Sequence, residues 1–132
     1  MKLLLDEPGA AHARLAWREA SSRVASVALL AEGGAAIAAA HRRGRIDDRG
    51  HTEALETFDR LWAEMDGLEL TESLARRAAE LAAAHALRGY DAIHLASAEA
   101  ILDDGDVMVV SDTRLAEAAA SIGIEALVPV ET

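Results

Sequence analysis

The sequence predicts an α/β protein with a mostly parallel sheet flanked by helices, and three observations carry that prediction. Runs of strand length, such as Arg23-Val24-Ala25-Ser26-Val27, alternate along the chain with longer Ala- and Leu-rich stretches of helical period. Val107-Met108-Val109-Val110 is apolar throughout, as a parallel strand covered on both faces would be. Strands that alternate with helices join through crossovers and so tend to lie parallel.

Taken in order, Lys2-Leu3-Leu4-Leu5-Asp6 runs into the breaker Glu7-Pro8-Gly9. Apolar residues at Ala13, Ala16, Trp17 and Ala20 predict a short helix over 10–20. A strand over 23–27 leads into a helix over 28–43, which contains Gly33-Gly34 and stops at Gly44. Asp47 and Asp48 open the next helix, where negative charge suits the N-terminal dipole. Leu55, Phe58, Leu61, Trp62 and Met65 form its expected buried stripe. Asp66-Gly67 is read as a turn into a weak strand, Leu68-Glu69-Leu70. Thr71-Glu72-Ser73 begins a helix to about Ala86, with Leu74, Ala78 and Leu81 inward. After the connection Leu87-Arg88-Gly89, residues 90–102 form a helix apolar nearly all round, hence expected to be well buried. The Val107–Val110 strand, a helix over 113–122 stopped by Gly123, and a last strand over 124–128 complete the chain.

The length of 132 residues predicts one domain spanning 1–132. With 52% hydrophobic and 27% charged residues the chain is globular in type rather than disordered. The absence of cysteine excludes disulfides and thiolate metal sites. No apolar run reaches the ~18–20 residues of a membrane span, and no signal-peptide pattern opens the chain, so a cytoplasmic protein is expected. The net charge of −10 should repel polyanions at long range. Contact with nucleic acid must then be local and cation-assisted.

Three separated carboxylates lie where strands give way to helices or where helices begin. Asp112 follows the Val107–Val110 strand, at the carboxyl end where open parallel sheets place ligands; it is equally suited to cap the helix after it. Asp91 falls in the first turn of an apolar helix, where an enclosed carboxylate needs a cation or hydrogen-bond donors. Glu32 sits among Leu29, Leu30, Ala31, Ala35 and Ile37 with no cationic residue three or four positions away, and burial is expected for it. Oxygen ligands gathered in this way suit a hard cation such as Mg²⁺.

The five histidines have no zinc spacing. His94, on the same helix face as Asp91, is read as a packed or hydrogen-bonded side chain, with proton transfer the other possibility. There is no P-loop, dinucleotide fingerprint or nucleophile elbow, which leaves a small-molecule α/β binding protein without a phosphate loop to support it. His41-Arg42-Arg43-Gly44-Arg45 is the one concentrated basic stretch. It is read as a solvated helix end, with Arg42, Arg43 and Arg45 also the best candidates for touching a phosphate backbone.

Tyr90-Asp91-Ala92-Ile93-His94-Leu95-Ala96, Val109-Val110-Ser111-Asp112-Thr113-Arg114-Leu115, the Glu32 helix and Leu3–Gly9 together resemble a PIN-domain ribonuclease of the VapC toxin type. The likeness runs from Met1 to about Ile124. It implies a PIN-like three-layer fold, with Glu32, Asp91 and Asp112 as catalytic and metal-ligating residues for Mg²⁺ or Mn²⁺. It also implies an endoribonuclease that hydrolyses RNA phosphodiesters, a VapB-like antitoxin as partner, and a homodimer. Two departures stand out. Family members open with a strand ending in Asp, whereas this chain begins at Met1-Lys2-Leu3, so the first strand and its ligand are expected to be missing. Gly33-Gly34 stands where the family carries an apolar residue, which should loosen the helix that holds Glu32. An inactive PIN remnant that only binds antitoxin or dimerises is the alternative.

Overall fold

Local chemistry fixes most helix ends. The structure is a computed structural model and describes residues 15, 18, 20, 22–103, 106–110 and 112–128. The expected Leu3–Gly9 segment lies outside these residues. So does most of the helix expected over 10–20, of which Leu15 and Arg18 are helical and exposed. The chain divides into two compact units, one within residues 1–67 and one within residues 68–130.

In the first unit, strand β1 (Val24–Ser26) runs into helix α1 (Ala28–Arg42), followed by α2 (Asp48–Ala63) and β2 (Asp66–Leu68). The junction of β1 with α1 is held by Ser26, fully buried, whose Oγ accepts from the Ala28 N–H at 3.1 Å. That satisfies one of the helix's orphan donors from inside the core. Gly44, at φ +73°, ends α1 as expected, since the left-handed turn costs glycine nothing. Asp47 caps α2 by accepting from Gly50 N–H at 2.8 Å, and Asp48 follows as its first residue.

Ile37, Ala54 and Phe58 form the core of this unit, with Leu29, Ile46 and Trp62 packed on it. Gly33, Ile37 and Ala40 make the inward face of α1. Phe58 explains Gly33: a Cβ at that position would overlap the Phe58 ring, whereas one at Gly34 would meet nothing within 4 Å. The first glycine therefore admits an aromatic ring to the helix backbone rather than loosening the helix. The expected stripe on α2 is corrected at Leu55, which is 41% exposed; Ala54 and Phe58, four apart, take the inward positions. β2 is hydrogen-bonded to β1, with the Asp66 N–H donating to the Arg23 carbonyl at 2.8 Å. Asp66-Gly67 thus belongs to the strand, and the chain turns earlier, at Glu64 and Met65.

In the second unit, helices α3 (Glu72–His85) and α4 (Gly89–Ile101) pack along each other. β3 (Met108–Val109), α5 (Thr113–Ser121) and β4 (Ala126–Leu127) follow. Thr71 caps α3 through Leu74 N–H at 3.1 Å. Arg77 ties α3 to α4 with two parallel bonds to Glu99, at 2.7 and 2.8 Å, and a third to Glu80 at 3.1 Å. Leu81, Ala92, Leu95, Met108, Leu115 and Ala119 lie at the centre of the core.

β3 and β4 pair in parallel, Met108 with Ala126 and Val109 with Leu127, as the alternation of strands and helices predicts. The expectation that Val107–Val110 is covered on both faces is corrected. Met108 and Val110 are buried, while Val107 and Val109 are 42% and 52% exposed. The side chains alternate as on any strand, and within this unit only one face meets helices.

Candidate metal centre

α4 begins at Gly89, so Asp91 stands in its first turn with its charge beside the helix's unsatisfied N–H groups. Its side chain is 15% exposed, and Oδ2 accepts from Arg88 Nε at 3.2 Å. Asp112 is the N-cap of α5, Oδ1 accepting from Leu115 N–H at 2.8 Å, so the capping reading of the sequence holds. The cap uses Oδ1 and leaves Oδ2 outside it.

Capping does not exclude a second task. Asp91 and Asp112 line one open cleft of about 360 Å³ together with Arg88, Thr113 and Arg114. Arg114 reaches the Ala86 carbonyl at 3.5 Å, a long contact, at the left-handed residue (φ +54°) that ends α3. Two carboxylates and two guanidiniums so share one opening in a chain of net charge −10.

His94 packs edge-on against Tyr90, ring centroids 4.1 Å apart. Burial pushes its pKa below 6.5, and the nearby Asp91 charge offsets this only in part. A ring held neutral and packed on an aromatic fits the structural reading of this histidine.

Glu32 belongs to the first unit and lies on an exposed part of α1, which corrects the expectation of burial. Helical period is the reason: with Gly33, Ile37 and Ala40 inward, Leu30, Ala31 and Glu32 fall to the outside. Arg42, Arg43 and Arg45 are exposed at the end of the same helix. Their neighbour His41 is engaged, its Nε2 2.7 Å from Asp48 Oδ1 and its ring stacked on His51 at 4.4 Å.

Among the described residues, no group of three or more His, Asp or Glu side chains is close enough to hold a metal ion. The second unit supplies a pair. Two hard carboxylates in an open cleft fit Mg²⁺, which takes one or two carboxylates and keeps several waters. Sequence reasoning missed Arg88 and Arg114 as parts of this cleft. The available signal was their position, Arg88 three residues before Asp91 and Arg114 two after Asp112.

The model of the PIN domain matches residues 1–121. Two proteins of Mycobacterium tuberculosis, Ribonuclease VapC45 of strain CDC 1551 / Oshkosh and Ribonuclease VapC49 of strain H37Rv, are each 38% identical over 123 residues. The matched stretch is 93% of this chain and 85% of each relative.

Proposed function

The chain belongs to the PIN-domain family, with VapC-type ribonucleases as its relatives, and on that premise we propose that it is a metal-dependent endoribonuclease toxin. In this reading residues 1–132 act as one PIN-like domain, Asp91 and Asp112 hold Mg²⁺ or Mn²⁺, and Glu32 is proposed as a further ligand on the family likeness alone. The observation that carries the reading is the cleft in which Asp91 and Asp112 lie together. When bound, the ion supplies charge stabilisation at the phosphate and makes a water more acidic. The protein's share is to place its carboxylates. Arg88 and the N-terminus of α4 stand beside Asp91, and the cap bond from Leu115 N–H fixes Asp112 at the same cleft. Arg88 and Arg114 offer guanidinium donors to an RNA phosphate in the same opening. Arg42, Arg43 and Arg45 are proposed to touch the backbone further along.

A VapB-like antitoxin and a second copy of the chain are the proposed partners. Among the described residues no helix is long and apolar enough to cross a membrane, and a cytoplasmic site of action is proposed.

The test is cleavage of RNA with Mg²⁺ by the wild-type chain and by Asp91→Asn, Asp112→Asn and Glu32→Gln. Each substitution should lower the rate by 100-fold or more, roughly the loss expected when a metal ligand or its charge is removed. Equal RNA degradation by wild type and Asp91→Asn would sink the proposal. A wild type that binds Mg²⁺ without cleaving RNA would favour the inactive remnant instead.

A further inference from the structure

Asp91 and Arg88 form an unequal pair: the carboxylate is 15% exposed and the guanidinium 83% exposed. A largely buried carboxylate needs a counter-charge, because leaving it without one is expensive. Arg88 provides that charge through a single Nε–Oδ2 contact at 3.2 Å rather than through its two-pronged fork. Arg77 shows what a fixed arginine looks like in the same unit, with both prongs on Glu99 at 2.7 and 2.8 Å and a further bond to Glu80. A one-point pair three residues apart, its guanidinium 83% exposed, is held weakly. A divalent cation brings twice the charge at oxygen distances of about 2.0–2.1 Å. It would win the carboxylate.

We propose that Arg88 is the exchangeable counter-ion of the cleft: it neutralises Asp91 until a divalent cation takes that carboxylate, and the released guanidinium then receives an RNA phosphate. This rests on the reading of the cleft as a metal-dependent nuclease site. It gives one side chain two uses. Before the cation arrives, Arg88 lowers the cost of a charged Asp91 in a partly dry position. Afterwards a planar donor fork, matched to phosphate, stands free in the opening into which RNA must come. The cleft's positive charge would then rise only when the cation is in place, so that an acidic protein attracts RNA at the moment it can act on it. Arg114 differs: it lines the same cleft but leans on the Ala86 carbonyl, and among the described residues it has no hydrogen bond to either carboxylate.

The experiment has two readouts, neither of them activity. Mn²⁺ is titrated calorimetrically into wild type, Arg88→Gln and Arg114→Gln. An RNA oligonucleotide is titrated by fluorescence anisotropy in EDTA and again with Ca²⁺. Arg88→Gln should bind Mn²⁺ roughly two- to fivefold more tightly than wild type, the factor set by a weak pair. Arg114→Gln should change by less than a factor of about 1.5, the through-space share of one exposed charge. Ca²⁺ should tighten RNA binding by wild type, and Arg88→Gln should lose most of that gain. Equal Mn²⁺ affinity in wild type and Arg88→Gln overturns the exchange and leaves the metal site standing. An equal gain in Arg114→Gln also overturns it, because general charge then explains the effect. Tighter Mn²⁺ binding with the RNA gain intact overturns the transfer to phosphate. No Mn²⁺ binding by any of the three proteins overturns the metal-site reading itself.

Discussion

Asp112 carries two loads that substitution can separate. Its Oδ1 holds the first turn of α5 through Leu115 N–H, and its charge faces the same cleft as Asp91. Asparagine keeps an oxygen for the cap and removes the charge, whereas alanine removes both. Asp112→Ala should therefore lose about 1 kcal/mol of folding stability, and Asp112→Asn only a few tenths. Both should lose Mg²⁺-dependent cleavage. Urea titrations of the two variants check this. If Asp112→Asn is as destabilised as Asp112→Ala, the negative charge at the helix dipole, not the hydrogen bond, secures the start of α5. The cap was legible in the sequence because capping is local: an Asp directly before an apolar-periodic stretch announces itself whatever the rest of the chain does.

Whole elements depend on contacts that a sequence does not display. Gly33 and Gly34 look alike along the chain, and each should cost α1 about 1 kcal/mol against alanine. Phe58, from α2, makes them different, because its ring occupies the space of a Gly33 side chain. Gly34→Ala should stabilise the protein by up to about 1 kcal/mol. Gly33→Ala should destabilise it by roughly 1–3 kcal/mol through overpacking. Opposite shifts in melting temperature would bear this out, and a stabilised Gly33→Ala would refute the packing account. The same limit explains the other differences. Helix starts at Asp47, Thr71 and Asp112, and stops at Gly44 and Gly123, were readable from capping chemistry. Size and apolarity point Leu55 inward, yet the small Ala54 takes that place. Composition alone suggests a doubly covered strand at Val107 and Val109, but coverage depends on what packs against each face. For the site, the carboxylates stood out as charges in apolar stretches. Arg88 and Arg114 did not, since an arginine beside a helix end is unremarkable until a cleft places it opposite an acid.

At the scale of the whole molecule, charge and burial pull stability in opposite directions as the solution is acidified. With 23 acidic against 13 basic residues and a pI near 4.8, the protein sheds self-repulsion as pH falls toward that value, which favours the folded state. His94 acts the other way. Its folded pKa lies below 6.5 because burial disfavours the imidazolium, so the unfolded chain takes up a proton first. The stability it contributes is fully present above 6.5 and is lost as pH falls from there toward the folded pKa. Glu99 adds a second loss in a lower window. Arg77 holds its pKa below 4.5, so that contribution is present above 4.5 and fades beneath it. Because the global term affects every variant alike, a difference isolates the histidine. His94→Gln should be free of the loss that acidification imposes on wild type between about pH 7 and 5, the window in which an imidazole titrates. Denaturant midpoints measured across that range give both curves. The gap between them should change in the variant's favour as pH falls, and a gap that stays constant would mean that His94 takes up its proton in the fold as readily as in the unfolded chain.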